Sequence, residues 1–537
     1  MGASDLKGHL IRTTQSANVL RLETRAAAAQ PVEAPASTAP AAGEDAAGGD
    51  DLHDLLASLD DLVRTQSAEG ARPAQASALA PQTFGTPAPS ATTPAAGGTL
   101  GLAQGIALVN QSHFVAPLNG EQTIWREGTD NETGMRAVVP VSMNSFKLEL
   151  APFTVNVLMP GGGAKALQLA DVWIRSKHRR SYPGGVILQP EGAFPAGCFN
   201  LWQGFGVTPK SGDPSPMIDH VRMLCGGDAA LAEYVLDWFA LCVQRPGSRT
   251  EVALVLRGGR GTGKGTVFRI MLLIFGRHGL HITQPKHLVG NFNSHLRTAL
   301  FLFADECHWP GDKAAEGVLK GLITEPTIAV EMKGHDVFTA PNRIKLTMAS
   351  NNEWVIPAGA DERRYCVVDV SASRAQDHAY FAALNAWIDG DGAGIFLCYL
   401  LSRDLSGFNV RAAPKTAALD RQKIEGMSPL DRWILERLDT GTGLAGGEWG
   451  NDPHRVRCDA ALGAFDLYRR RGAARGTPAD TRAIGRRLGE VFGCGPATVG
   501  RLGHLGRVRE WTLPGIAQAR VSAASAFGLT HYEWGQA

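Results

Sequence analysis

The sequence predicts an α/β protein whose core is a parallel sheet carrying a phosphate-binding glycine loop, with a helical region ahead of it and a winged-helix module at its C-terminal end. Three observations carry that reading. A glycine-rich loop, Gly258-Gly259-Arg260-Gly261-Thr262-Gly263-Lys264-Gly265-Thr266, lies between a short apolar run and a helical pattern. Two further apolar runs end in polar clusters, Asp305-Glu306 and Ser350-Asn351-Asn352. Beyond them the chain becomes arginine-rich over two helical patterns and a short β run. Continuous apolar runs are the mark of strands covered on both faces.

At 537 residues the chain is long enough for two or three folded units. With 53 Lys and Arg against 52 Asp and Glu, binding surfaces have to be sought in local charge, because the net +1 averages them away. Eight cysteines stand singly, at Cys198, Cys225, Cys242, Cys307, Cys366, Cys398, Cys458 and Cys494, without the close pairs of a zinc ribbon or a disulfide framework. No apolar core of a signal peptide opens the chain, and no run reaches the roughly 18 apolar residues of a membrane span. The expectation is a reduced, cytoplasmic protein with no membrane partner.

Residues 1–101 form an arm. From Ala26 to Gly98 it is dominated by Ala, Pro, Gly, Ser and Thr, too poor in apolar side chains to offset its ordering entropy. One short helix, Asp50–Arg64, could dock a partner, although a tail without function fits as well. Residues 102–195 bring the aromatics back, with Phe114, Trp125, Phe146, Phe153 and Trp173, and suggest no role. In the helical region 196–250, apolar spacing over Met217–Gln244 predicts two helices broken at Cys225-Gly226-Gly227-Asp228.

The core spans 251–375. Glu251–Leu256 reads as a buried strand and Val267–Phe275 as a helix, so the glycine loop can aim backbone N–H groups and a helix N-terminus at phosphates, with Lys264 as the mobile charge. Gly258 to Thr266 would therefore hold a nucleotide. Gly265 stands where a Ser or Thr hydroxyl normally touches Mg²⁺, so Thr266 or water must complete the metal shell. The strand Ala299–Ala304 delivers Asp305, suited to Mg²⁺, and Glu306, suited to polarising the attacking water. A third strand, Ile344–Ala349, ends at Asn351, whose amide can sense a γ-phosphate. Arg363 and Arg364, ahead of the strand Cys366–Val370, are candidates for a guanidinium offered to a neighbouring subunit's phosphoryl group, and the sequence does not choose between them.

Residues 376–425 read as a helical connector and 426–537 as a basic module. Between His454 and Trp511 there are twelve arginines, no lysine and five acidic residues. Ala460–Arg471 reads as a helix ending in Arg469, Arg470 and Arg471. Thr481–Val491 reads as a second, bearing Arg482, Arg486 and Arg487. With the β run Arg507–Thr512, this pattern suggests a winged helix for duplex or origin DNA. An arginine-rich solvated face is the plainer alternative.

Glycine loop, Asp-Glu strand, basic hairpin, Ser-Asn-Asn strand and Arg-Arg in this compact order resemble superfamily 3 helicases of viruses and phages. The likeness is greatest to the phage and prophage primase-helicase group related to the poxvirus ATPase of that type. It spans Ala196–Ser371 and includes Phe199-Asn200-Leu201-Trp202, Gly204-Phe205 and Val243–Gly247. The resemblance implies an AAA+-like P-loop NTPase sheet working as a ring, usually a hexamer, with ATP and Mg²⁺ between subunits and single-stranded DNA in the channel. It also implies that Thr327–Phe338 is a hairpin whose Lys333, with His335, grips DNA phosphates, and that the N-terminal arm could meet a replisome partner.

Relatives often carry a primase domain, whereas residues 102–195 show neither a cysteine cluster nor a carboxylate set for nucleotidyl transfer, so no primase activity is assigned. The expected function is an ATP-dependent DNA helicase or translocase in the replication of a phage, prophage or mobile element. Its alternative is an ATP-switched DNA-binding initiator or loader. A small-molecule kinase, raised by the Gly-Lys-Gly-Thr resemblance to adenylate kinases, does not need Asp305-Glu306, Asn351 and Arg363-Arg364.

Overall fold

The computed structural model describes residues 98–131, 136–158, 163–307, 313–332, 336–471, 480–502 and 506–535. The arm up to residue 97, with the helix expected at Asp50–Arg64, and Lys333 and His335 lie outside the described residues, whereas Thr99–Gly101, expected at the end of the arm, form a strand because they pair with Thr154–Asn156. Among those described, no helix is long and apolar enough to cross a membrane.

Residues 98–200 form a mixed layer. Strand β1 (Thr99–Gly101) leads into the helix Leu102–Ser112, and β2 (His113–Leu118), β3 (Glu121–Thr129) and β4 (Arg136–Val141) form an antiparallel meander. Strand β5 (Thr154–Leu158) pairs parallel with β1 and antiparallel with β6 (Ala164–Gln168), while β7 (Gly185–Ile187) and β8 (Cys198–Asn200) form a parallel pair. The aromatics seen in the sequence are its core: Phe114, Phe146 and Trp173 have no exposure. That core runs without a break from Phe114 and Trp125 into Phe268 and Phe301, beside and within the parallel sheet. The layer is therefore packed onto the parallel-sheet core instead of standing as an independent unit.

The two expected helices are Ser215–Leu224 and Ala229–Gln244. The break between them uses Gly226 and Gly227 at positive φ, and the Asp228 carboxylate caps the second helix by accepting from the Leu231 N–H at 3.0 Å.

The core sheet contains β9 (Ala253–Arg257), β10 (Gly279–Ile282), β11 (Phe301–Asp305), β14 (Lys345–Ser350) and β15 (Tyr365–Asp369), all parallel, in the order β10-β11-β14-β9-β15. Alternate residues feed opposite layers. Leu254 and Leu256 face the cluster containing Phe268, Met271 and Phe275, while Ala253 and Val255 face the one containing Leu302, Leu346 and Val367. Strand β9 starts two residues later than expected because Glu251 turns the chain at φ 58°, its carboxylate paired with Arg249 and Arg411. The helix after the glycine loop starts earlier, at Lys264, and runs to Phe275.

Between β11 and β14, β12 (Thr327–Val330) and β13 (Phe338–Pro341) form the expected antiparallel hairpin. In the connector, helix Ala393–Ser402 packs back on Ala229–Gln244 through Phe396, Leu397 and Leu400, and helix Ala417–Glu425 leads out of the core.

The C-terminal module has its own core around Trp433, Phe465, Leu488 and Trp511. Its order is helix Pro429–Asp439, β16 (His454–Arg457), helices Cys458–Arg471 and Thr481–Phe492, β17 (Thr498–Leu502), β18 (Gly506–Leu513) and helix Ile516–Phe527, with β18 central in an antiparallel sheet.

Candidate nucleotide site and nucleic-acid surfaces

The parallel sheet places the ends of β9, β11 and β14 side by side, and with them the glycine loop, Asp305-Glu306 and Asn351 around one cavity of about 390 Å³. Lys264 is buried and fully engaged. Its Nζ donates to the Gly258 and Gly259 carbonyls, both at 2.7 Å, and to Asn351 Oδ1 at 2.8 Å. Burial lowers its pKa, against the charges of Glu306 and Asp305, which raise it. The glycines are required by geometry. Gly261 and Gly263 have φ of +71° and +89°, and a Cβ on Gly263 would come within 2.7 Å of both His220 and Phe381.

At the tip of β11, Glu306 adopts φ 52°, a left-handed conformation costing of order 1–3 kcal/mol in a non-glycine residue. Its Oε2 accepts from the Asn351 N–H at 3.2 Å and the Ser350 hydroxyl at 3.4 Å. Asn351 therefore links the lysine and the glutamate, its side chain to one and its backbone to the other. Asp305 lies 3.6 Å from His281 Nε2, a neighbour supplied by β10. Thr266 lines the same cavity, while a Cβ at Gly265 would meet nothing within 4 Å, so the glycine there is not a steric necessity.

Several participants escaped sequence reasoning because they come from distant segments. His220, with no exposure, places Nε2 3.1 Å from the Gly263 carbonyl and Nδ1 3.0 Å from the Tyr380 hydroxyl, bracing the loop between helix Ser215–Leu224 and helix His378–Trp387. Desolvation brings its pKa down to about 4, so it is neutral near pH 7. Gln422, also fully buried, holds the segment after Asn351: Oε1 accepts from Val355 N–H at 2.7 Å and Ile356 N–H at 3.3 Å, and Nε2 donates to the Glu353 carbonyl at 2.6 Å. From the same helix, Asp420 accepts from the Thr530 and His531 N–H groups at 2.7 and 2.6 Å. Helix Ala417–Glu425 thus fastens the Asn351 segment on one side and the end of the C-terminal module on the other.

Arg363 and Arg364 precede β15, whose far end is paired beside the glycine loop, so they lie roughly 20 Å from their own cavity at ~3.3 Å per residue. The structure separates the two. Buried Glu362 accepts from both backbone N–H groups and from the Arg364 guanidinium at 3.4 Å. Arg363 is exposed, and its guanidinium has no partner among the described residues.

The hairpin is tied down at both ends. Asn342 Nδ2 donates to the Leu322 and Glu325 carbonyls at 2.9 Å, and Asn293 bridges the Ala329 carbonyl and the Glu331 N–H at 2.9 and 2.8 Å. Beside Asn293, Phe292 is 56 % exposed at φ 58°, a conformation that is an outlier for a bulky residue. The only sequence signal for it is the turn-forming company of Gly290, Asn291 and Asn293.

In the C-terminal module Arg470, Arg471, Arg482 and Arg486 are exposed, and Arg469 lies 3.7 Å from Asp466. Arg487 departs from the expected DNA-facing set. It is bound to Asp431 at 2.5 Å and Glu490 at 2.7 Å, with its guanidinium over the Phe527 ring, because its position on the helix turns it toward helix Pro429–Asp439.

Comparison with known proteins finds likenesses to a family of unknown function and to a phage protein. A family of unknown function, DUF5906, matches residues 256–364, from the end of β9 to Arg364. A DNA primase-polymerase of Nitratiruptor phage NrS-1 is 26% identical over 145 residues, which cover 26% of this chain and 20% of that protein. The chain therefore matches about a fifth of that relative's length. An apo structure of the NrS-1 C-terminal region (305–718) aligns with TM-score 0.54 at 17% identity, over 76% of this chain and 98% of that one. A second, the A form of that region, aligns with TM-score 0.53 at 16% identity over the same shares. These likenesses support the resemblance to the phage primase-helicase group, and the structural ones speak for the fold alone.

Proposed function

We propose that this chain is an ATP-dependent DNA helicase or translocase acting in the replication of a phage, prophage or mobile element, working as a ring, most simply a hexamer. The observation that carries the reading is the three-way link at Asn351. A γ-phosphate entering the cavity would take the Lys264 ammonium, freeing the Asn351 side chain, and Asn351 in turn holds Glu306, the residue suited to polarise water. Asn351 also ends the chain segment that begins with the hairpin, since only β14 separates the two. A change at the nucleotide therefore has one short strand to travel to reach the hairpin, where Lys333 and His335 would hold phosphates and exposed Phe292 offers a face on which a base can stack.

The donor set fits Mg²⁺. Asp305 and Thr266 offer oxygens to the same cavity, the modest protein contribution this ion takes when phosphates supply the rest, and the ion would neutralise charge on those phosphates. Arg363, too far from its own cavity and without a partner among the described residues, is the residue suited to complete a neighbour's site, which is what favours a ring. The sheet order supports an AAA+-like P-loop reading, and the helix-strand-helix-helix-strand-strand order of the C-terminal module supports a winged helix.

Hydrolysis of ATP with and without single-stranded DNA tests the proposal. DNA should raise a rate that disappears in Lys264→Ala, and a Lys264-dependent rate indifferent to DNA would count against a motor. Gly265 and the arginine-rich module favour a second reading, a DNA-bound initiator or loader that uses ATP as a switch and turns over slowly.

A further inference from the structure

We propose that the C-terminal module holds one phosphorylated nucleoside unit in a cavity between helix Thr481–Phe492 and β18, so that it engages DNA by taking in a single nucleotide. The inference rests on the DNA-binding reading of this module. The cavity measures about 340 Å³, at the small end of the ~300–1,000 Å³ range of ligand sites, and is walled by Arg482, Arg486 and Arg509.

None of these three guanidiniums has a carboxylate within 4 Å or a hydrogen bond to the protein among the described residues. Acids are not lacking nearby: Arg487 on the same helix takes Asp431 and Glu490, Arg457 takes Asp459, and Arg455 lies 3.7 Å from Glu510. Arg455, Arg457 and Arg487 thus face carboxylates, whereas the three that share a cavity face none among the described residues. Like charges gathered there repel one another until an anion lies between them.

The floor differs from the walls. Gly485 and Gly489 alternate with Arg482 and Arg486 on one face of the helix, and Pro496, Ala497 and the edge of buried Trp511 complete an apolar surface. A Cβ on Gly485 would stand 2.9 Å from Trp511 Nε1, so the helix lies directly against that ring. Guanidiniums above an apolar floor suit a ligand with a phosphate at one end and a flat, weakly polar base at the other. They do not require a duplex groove. Guanidinium forks match phosphate oxygens in pairs, and three of them can surround one phosphate group.

Cys494 lines the cavity and is only partly buried, which makes its alkylation a direct report of occupancy. The experiment uses the full chain carrying Lys264→Ala, so that the glycine loop contributes no nucleotide binding. Three probes are compared: dAMP, a single-stranded oligonucleotide and a duplex closed by hairpins at both ends, with inorganic phosphate as the anion control. Cys494 alkylation should slow about tenfold with the oligonucleotide or with dAMP, and Arg482→Gln with Arg509→Gln should remove that protection, whereas Arg470→Gln with Arg471→Gln should leave it in place.

Protection by the oligonucleotide but not by dAMP identifies a nucleotide within a strand, and protection by dAMP alone identifies a free nucleotide. Equal protection by phosphate or by the closed duplex, or equal loss in the two double variants, overturns the inference. A chain that binds DNA while Cys494 stays unprotected overturns it too and leaves the motor reading standing. Absence of any DNA binding by the whole chain is what would instead remove the premise. Unchanged melting temperatures show that the exposed substitutions have not unfolded the module.

Discussion

The two cationic sites of this protein are built in opposite ways. Lys264 sits in a cavity with three hydrogen-bond acceptors already in place, one of them the amide that also steadies Glu306. Arg482, Arg486 and Arg509 surround a cavity of similar size with no acceptor among the described residues. A site satisfied internally must exchange a partner when its ligand arrives, and the exchange is how a ligand biases a conformation. A site left unsatisfied gains its partner only from the ligand, and its strength follows salt concentration. The first is built to switch and the second to hold.

The largest effect should come from separating the latched cavity from Arg363, the residue proposed to complete it across a subunit boundary. Arg363→Ala should lower hydrolysis about 10³-fold or more, in the range for a guanidinium acting on phosphoryl transfer. Arg364→Ala should instead lower the melting temperature, because Glu362 would lose its guanidinium partner. Mixing Arg363→Ala with Lys264→Ala chains should restore part of the activity, since each supplies what the other lacks. No recovery on mixing would argue that the cavity is complete within one chain.

Acid should distinguish the two regions by stability. His220 and His278 are buried beside the parallel sheet, and desolvation brings both pKa values down to about 4 from an ordinary 6.5. Each therefore supports the fold above pH 6.5, and that support is lost as pH falls through 4, by about 3 kcal/mol per histidine. Hydrogen exchange between pH 7 and 4 should loosen the Gly258–Phe275 segment before the C-terminal module, whose histidines among the described residues, His454 and His531, are not buried.

The tie between the regions comes next. Gln422→Leu leaves the Val355 and Ile356 N–H groups and the Glu353 carbonyl without their partner, a loss of about 1–3 kcal/mol. It should lower kcat more than it raises KM for ATP, because it acts on the Asn351 segment and not on the phosphate cradle. The smallest effect is expected at Gly265→Ser. A side chain there meets open space, so the melting temperature should hold while the Mg²⁺ concentration for half-maximal hydrolysis falls a few-fold.

Sequence reasoning reached the latched site more fully than the open one. Strands β9, β11 and β14 are buried on both faces and so appear as apolar runs, and their polar tips mark where the sheet meets a ligand. Strand β10 was not anticipated, since Gly279–Ile282 is a short edge segment, half exposed and without a run of its own. His220 and Gln422 look like ordinary helix residues until packing brings the one to the glycine loop from 43 residues away and the other to the segment after Asn351 from 67. On the C-terminal side, Arg486 and Arg487 are adjacent in sequence and indistinguishable in composition. Only the helix's burial of Ile484, Leu488 and Val491, and the presence of Asp431 across from it, separates a paired arginine from one facing the cavity.

The most direct test of the account is displacement of a strand from forked DNA by the full chain with ATP and Mg²⁺. A motor built around the Asn351 link should separate the strands, and Lys264→Ala or Glu306→Gln should abolish the product. ATP hydrolysis that depends on Lys264 and proceeds on the fork without any displaced strand would contradict it, and would make the protein a nucleotide-switched DNA-binding factor.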